Sequence, residues 1–228
     1  MKRSKKYRAA SEKIDRTKKY ELEEACALLV DSSTTKFDST VEVHFNLNID
    51  PKYADQQVRS TVSLPNGSGK SKIIAAFVGE DEVEKAKKAG ADFAGGDDLI
   101  EKVAKDNWTD FDVAIATPEA MRKMAKLGKI LGTKGLMPNP KAGTVTTDIV
   151  ATITEVKKGR VEFRNDPQGN LHVIGGKVSF GKDKLFENVK AIIDAVKAVR
   201  PTGVKATYIN SVTLTTTMGP GIKVSFSQ

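Results

Sequence analysis

Few residues in the chain are of a type and spacing that could do chemistry. Gly67-Ser68-Gly69-Lys70-Ser71 ends in the Gly-Lys-Ser of a phosphate-cradling loop. That loop needs a glycine five residues before Gly69, where Leu64 stands, and a helix after it to meet the phosphates. An apolar run, Ile73 to Val78, follows instead, so the segment reads as a flexible interdomain loop. Gly90, Gly95 and Gly96 do not spell a dinucleotide fingerprint. Asp97 and Asp98 could offer carboxylates to Mg²⁺, yet acids that begin a helix ordinarily satisfy its amides and dipole. His44 and His172 fall on predicted strands with no serine or cysteine nucleophile motif beside them. The single cysteine, Cys26, lies at core spacing, rules out an intrachain disulfide and leaves no thiolate cluster for a metal. The expectation is therefore a non-enzyme with no catalytic residue, metal site or cofactor.

Two other segments have the chemistry of RNA contact. In Thr213-Leu214-Thr215-Thr216-Thr217-Met218-Gly219-Pro220 the threonines at alternate positions can share a strand face, where hydroxyls reach ribose 2′-OH groups and phosphates. Met218 adds a soft apolar surface and Gly219 permits close backbone approach; an exposed threonine-rich strand ending in a turn is the plain alternative. Lys36-Phe37-Asp38 is expected to end the second helix and lead into the first strand. Phe37 is there either core or, beside Lys36, a stacking platform. Charge agrees with an anionic partner: 37 Lys and Arg against 29 Asp and Glu give +8. Residues 68 to 158 hold 15 basic and 14 acidic side chains, so the flanks, with 22 and 15, carry +7 of it. Nine basic groups and two acids fall in the first twenty residues, either a solvated tail or a set of phosphate contacts.

The elements that position these residues change texture twice along the chain. Leu22, Ala25, Cys26, Leu28 and Leu29 recur at helical spacing; Val41, Val43, Phe45, Leu47 and Ile49 alternate with polar neighbours, and Val58 to Leu64 forms a second strand. From Ile73 the pattern becomes that of a parallel sheet: a strand, a charged helix Asp81 to Ala89, a strand Ala91 to Phe93, a helix Asp97 to Lys105, a strand Val113 to Ala116, and a helix opened by Thr117-Pro118-Glu119. An irregular Gly, Pro and Lys stretch, Gly132 to Gly143, precedes a helix from Thr147 to Lys158 that Gly159 ends. Alternation then returns at Val161, Phe163, Leu171 and Val173. A helix, Asp183 to Val199, and strands Thr207 to Thr216 and Ile222 to Phe226 complete the chain. The predicted class is α/β: a discontinuous two-layer α+β domain with an antiparallel sheet, residues 1–66 and 159–228, interrupted by a Rossmann-like parallel βαβ domain, residues 67–158. No apolar run is long enough to cross a bilayer and no secretion signal opens the chain.

Several ordered motifs together resemble the ribosomal protein L-one family. They are Lys36-Phe37-Asp38, Asp50-Pro51 through Asp55-Gln56, Val58-Arg59, Leu64-Pro65, Gly135-Leu136-Met137-Pro138-Asn139-Pro140-Lys141-Ala142-Gly143-Thr144-Val145, Arg160 to Asp166, and Thr215 to Pro220. The resemblance covers nearly the whole chain and is to the bacterial or organellar form. It implies a structural constituent of the large ribosomal subunit that binds large-subunit rRNA, builds the mobile stalk near the tRNA exit site, assists release of deacylated tRNA, and represses translation by binding its own operon mRNA. It implies a monomer when free, with no membrane partner, located on the ribosome in the cytoplasm or in an organellar stroma or matrix. Carried over by position, the RNA contacts would be Lys36, Phe37, Thr40, Arg164, Asp166, Ser211, Thr217, Met218 and Gly219. Asp166 would accept from a 2′-OH or base amine, or orient Arg164. Lys134 and Lys141 would make a weaker second contact; Gly132-Thr133-Lys134 stands where relatives often have Gly-Pro-Arg, so charge remains there without a two-pronged guanidinium. A nucleotide-dependent enzyme and a free mRNA regulator are the competing classes.

Overall fold

The computed structural model describes residues 3–204 and 206–226, apart from the side chain of Lys141. The elements run α1 (Lys5–Glu12), α2 (Leu22–Asp31), β1 (Thr40–Leu47), β2 (Arg59–Ser63), β3 (Ile74–Phe77), α3 (Glu80–Ala89), β4 (Phe93–Gly95), α4 (Asp97–Asp106), β5 (Val113–Ala116), α5 (Pro118–Met124), α6 (Gly128–Thr133), α7 (Ile149–Lys158), β6 (Arg160–Arg164), β7 (Asn170–Lys177), α8 (Gly181–Ala198), β8 (Ile209–Thr216) and β9 (Ile222–Val224). They form two compact units, Met1–Gly69 with Gly159–Gln228, and Lys70–Lys158.

The first unit is built on period-two strands. Val41, Val43, Phe45 and Leu47 of β1 are buried while Glu42, His44 and Asn46 point the other way, so one face of the strand must be covered. β1 lies between β7 and β8 in an antiparallel sheet of order β7-β1-β8-β9. Its inner face packs on α2 and α8. α8 presents Leu185, Val189, Ile192, Ile193 and Val196 at helical spacing and stops before Pro201. β2 does not join this sheet. It pairs with β6 in a separate two-stranded ribbon, whose Val62, Val161 and Phe163 close another side of the same core.

The second unit carries the parallel sheet β4-β3-β5. Every residue of β3 is buried, because helices cover both of its faces. Thr117 caps α5 by accepting from the Ala120 N–H, with Pro118 at the first helical position. The expected strand Ala91 to Phe93 is displaced to Phe93–Gly95. Ala91 turns its N–H back to Ala86 O, and the Asp92 carboxylate accepts from the Ile74 N–H, so pairing with β3 starts only at Phe93.

The chain segments that join the units are pinned rather than loose as far as Gly67. The Asn188 side chain, fully buried in α8, accepts from the Asn66 N–H at 3.0 Å and donates to Gly67 O at 3.0 Å and Gly175 O at 2.8 Å. Gly159, at φ +111°, lies so close to the Gly67 backbone that a Cβ would collide with it. The start of the expected loop, at Gly67, is thus held: a buried amide saturates backbone groups that would otherwise be left to water. Asn188→Ala strands all three, and we expect it to cost about 3 kcal/mol. In urea this is a lower midpoint with an unchanged slope; a loss under about 1 kcal/mol contradicts the assignment.

Candidate nucleic-acid interface

The outer face of the four-stranded sheet, opposite α2 and α8, is polar apart from the exposed Ile174. Glu42, His44 and Asn46 of β1 stand between His172 and Ile174 of β7 and Ser211, Thr213 and Thr215 of β8, with Lys223 of β9 beyond. The side chains form one directed chain at one end of this face. Asn210 Nδ2 donates to Asn46 Oδ1 (3.0 Å), Asn46 Nδ2 to Asn170 Oδ1 (2.8 Å), and Asn170 Nδ2 to Asp166 Oδ2 (3.1 Å). In the middle, His44 Nδ1 and His172 Nδ1 meet at 2.7 Å, and each outer Nε2 approaches a carboxylate, Glu42 at 3.5 Å and Asp166 at 3.6 Å. Such a face offers donors and acceptors of fixed direction to 2′-OH groups and base edges.

The structure sorts the expected site residues into two groups about 20 Å apart, the length of six residues of β1. At one end, the Thr217 N–H donates to Thr40 O (3.1 Å) and Thr217 Oγ1 accepts from the Thr40 N–H (3.1 Å). The Thr217 hydroxyl therefore splices the segment after β8 onto the start of β1, with part of its hydrogen-bonding capacity taken there. Its chain neighbour Met218 is 63% exposed and shares a groove with Phe37, 57% exposed; Phe37 is a surface platform, not core. A side chain at Gly219 would strike the buried Thr216 hydroxyl, so only glycine fits that turn. Lys36 and Phe37 do not end the second helix, which stops at Asp31. Ser32 Oγ donates back to Leu29 O, and Thr35 Oγ1 donates to Phe37 O, so hydroxyls take over the backbone partners that more helix would need. Of the threonine run, Thr213 and Thr215 share the outer face, Thr216 is buried, and Thr217 lies past the strand end.

At the other end stand Ser211, opposite Asn46, and the β6–β7 turn. Arg164 is exposed at the end of β6, opposite Arg59, which is itself paired with Glu162. Asp166 does not orient Arg164. Its Oδ1 accepts from the N–H groups of Gln168 (2.9 Å) and Asn170 (2.7 Å), and it holds the turn in register. Burial pushes the Asp166 carboxyl up, but the Asn170 and Gln168 hydrogen bonds and the His172 charge outweigh this and leave it below the usual carboxylate range.

In the second unit Lys134 donates to Thr109 Oγ1, and the Lys141 side chain lies outside the described residues. The crevice at the carboxyl ends of the parallel strands is where this architecture binds ligands. It is lined by Glu80, Asp97 and Glu119 against Lys123, which already grips Asp97 at 2.7 and 2.8 Å. That excess of negative charge repels a phosphate. Burial pushes the Cys26 thiol up to about 12 and leaves it unreactive. Among the described residues no group of three His, Cys, Asp or Glu could hold a metal, and no helix is long and apolar enough to cross a membrane.

Residues 29–220 match the model of the ribosomal protein L1p/L10e family. The chain belongs to this family. It is 54% identical over 224 residues to the large ribosomal subunit protein uL1 of Thermosipho melanesiensis, covering 98% of this chain and 97% of that protein. It is 55% identical over 225 residues to the protein of the same name from Chloroflexus aurantiacus (98% and 95%), and 52% identical over 223 residues to that of Mycoplasma capricolum (98% and 98%). Membership in a family of ribosomal structural proteins removes the enzyme reading.

Motif reading did not assign to this face Glu42 and the His44–His172 pair in its middle or Asn46, Asn170 and Asn210 at one end. The signal was present in the polar members of the β1 and β7 alternation, but only strand register brings them together. One Nδ1 of the histidine pair must donate and the other accept, so two imidazolium rings cannot keep the contact. Burial, and then the charge of His172, hold His44 below the ordinary 6.5, against the pull of Glu42. The β8 residue facing His44 is the uncharged Thr213. A depressed folded value makes His44 a source of stability above 6.5 that is lost as pH falls through the lower folded value. In an NMR titration His44 should titrate below 6.5, and His172→Ala should move it upward; a His44 value unmoved by His172→Ala contradicts the pairing.

Proposed function

We propose that the chain is a structural component of the large ribosomal subunit whose first unit binds folded large-subunit rRNA through the outer sheet face and its two ends. The observation that carries this reading is the largely polar sheet face, with exposed Phe37 and Met218 at one end and Arg164 at the other, in a chain whose relatives are named large ribosomal subunit proteins. Ser211, the asparagine line and the backbone around Gly219 supply direction-dependent contacts to ribose and bases, Phe37 and Met218 an apolar platform, and Lys36 and Arg164 phosphate contacts. Thr40, Thr217 and Asp166 act by holding the backbone that presents these groups. Lys134 and Lys141 of the second unit make a weaker contact driven by charge.

The finer role that goes with this interface is the mobile stalk beside the tRNA exit site, contact with deacylated tRNA as it leaves, and repression through an operon mRNA that copies the rRNA site. The chain works as a ribosome-bound protein of the cytoplasm and is a monomer when free. Two compact units joined by two crossings suit a stalk that moves.

Sucrose-gradient sedimentation tests the assembly: the chain should travel with the large subunit and leave it as salt rises. Met218→Ala should weaken binding to a large-subunit rRNA fragment about tenfold with little change in salt slope, whereas Lys36→Ala should lower that slope by about 1. If neither substitution moves affinity, this face is not the interface. Residues 1–69 joined to 159–228 by a short linker should fold and keep most of the affinity; a folded splice that does not bind RNA moves the site to the second unit.

A further inference from the structure

Beside the Phe37 and Met218 end lies a groove that the expected contact set does not include. Arg3, the N-cap residue Ser4, and Lys6 and Tyr7 of α1 form one wall, and Thr34, Thr35, Phe37 and Met218 the other, around a volume of about 570 Å³. That is the size class of sites that take small organic ligands. Two observations define its chemistry. No carboxylate lines it, and two cations stand on its rim. Its floor holds two of the most exposed large apolar side chains of the described chain, which would otherwise face water with no partner. Arg3 is already held: its guanidinium stacks over the Tyr7 ring at 4.5 Å and Nη1 donates to Tyr7 Oη at 2.7 Å. Its other N–H groups remain available for a bidentate contact.

We propose that this groove takes one unpaired nucleotide of the bound RNA, with its base against Phe37 and Met218 and its phosphate between Arg3 and Lys6. An aromatic ring beside a polarisable thioether stacks any base, and paired cations opposite it neutralise the backbone. The N-terminal helix thereby becomes a clamp on the interface rather than a solvated tail, and Tyr7 is a positioning residue that sets the Arg3 fork. This assignment rests on the RNA-binding reading of the sheet face and extends it.

The test uses the full chain and a fluorescently labelled large-subunit rRNA fragment that it binds, together with copies of the fragment in which each unpaired nucleotide in turn is made abasic. Arg3→Ala with Lys6→Ala should weaken binding about tenfold and lower the slope of log K against log salt by about 1 to 2. Arg3→Lys should keep the slope and lose part of the affinity. One abasic position should cost the wild-type protein several-fold and cost Phe37→Ala nothing further, which marks the base that stacks in the groove. Circular dichroism of each variant should match wild type. Unchanged affinity and slope for the Arg3 and Lys6 pair, with Arg164→Ala still weakening binding, overturns the groove and leaves the sheet face standing. An abasic series with no position coupled to Phe37 also overturns it. If Arg164→Ala is silent as well, the RNA-binding reading itself has failed.

Discussion

The structure depends on β1 being the central strand of a sheet whose other strands all come from the far side of the second unit. β7, β8 and β9 follow residue 159, whereas β1 precedes residue 48. None of the outer-face pairs exists until that ladder closes: His44 with His172, Asn46 with Asn170, Thr40 with Thr217. Closure brings together residues more than a hundred positions apart, yet loop-closure entropy grows only logarithmically, by about 0.6 kcal/mol per doubling. A long intervening unit is therefore thermodynamically cheap. What it requires is a clean pair of crossings, and Asn188, Gly67 and Gly159 provide them: a saturated amide on one side, and on the other a residue without a Cβ where two backbones touch.

Because β1 is central, its register sets both chemistry and core at once. A slip of one residue would bury Glu42, His44 and Asn46 under α2 and α8 and expose Val41, Val43 and Phe45. The hydrophobic layer thus enforces the order of the polar face. Two irregularities tune it. The register shifts between Val41 and Glu42 against β7, and between Asn46 and Leu47 against β8. Both fall at the ends of the face, where the strand passes from ladder to loop and where Thr40 and Asn210 make their side-chain contacts.

Legibility from sequence followed the range of the interaction. Alternation in β1 and β8 and the helical period of α8 are local, and these elements are legible at nearly their full lengths, whereas of β7 only Leu171 and Val173 stood out; Val113–Ala116 matched residue for residue. Caps were less clear. Ser32 to Thr35 end α2 through hydroxyl contacts that a hydrophobic pattern does not encode, so Lys36 and Phe37 were first attached to the helix. Partner choice was not legible at all. Nothing in Arg59–Ser63 says that it pairs with β6 in its own ribbon, and nothing near His44 points to residue 172. Asn188 reads as one polar residue in an amphipathic helix, since its three partners lie on two other segments. Asp166 and Thr217 stand out through resemblance alone, and sequence did not reveal that their side chains also hold the chain to itself.

Such internal bonding separates two kinds of residue at a polar surface. A hydroxyl or carboxylate whose hydrogen bonds are taken within the chain fixes geometry; one left with spare capacity can recognise a partner. By that measure Thr40, Thr217 and Asp166 have part of their capacity taken within the chain, while Ser211, the exposed rings and the cations at the two ends have more left to offer. Charge then has a limited task. The outer face carries the carboxylates of Glu42 and Asp166 beside two imidazoles that cannot both be charged, so it offers a polyanion no net attraction, and that attraction must come from its margins, at Lys36, Arg164 and Lys223. A directional polar centre with cations at its margins is the arrangement that general RNA chemistry reads through shape and 2′-OH geometry, with the margins setting any salt dependence. The second unit shows the converse: its ligand crevice is closed to phosphates by Glu80, Asp97 and Glu119. A fold class that elsewhere takes nucleotides in such a crevice here surrounds it with carboxylates.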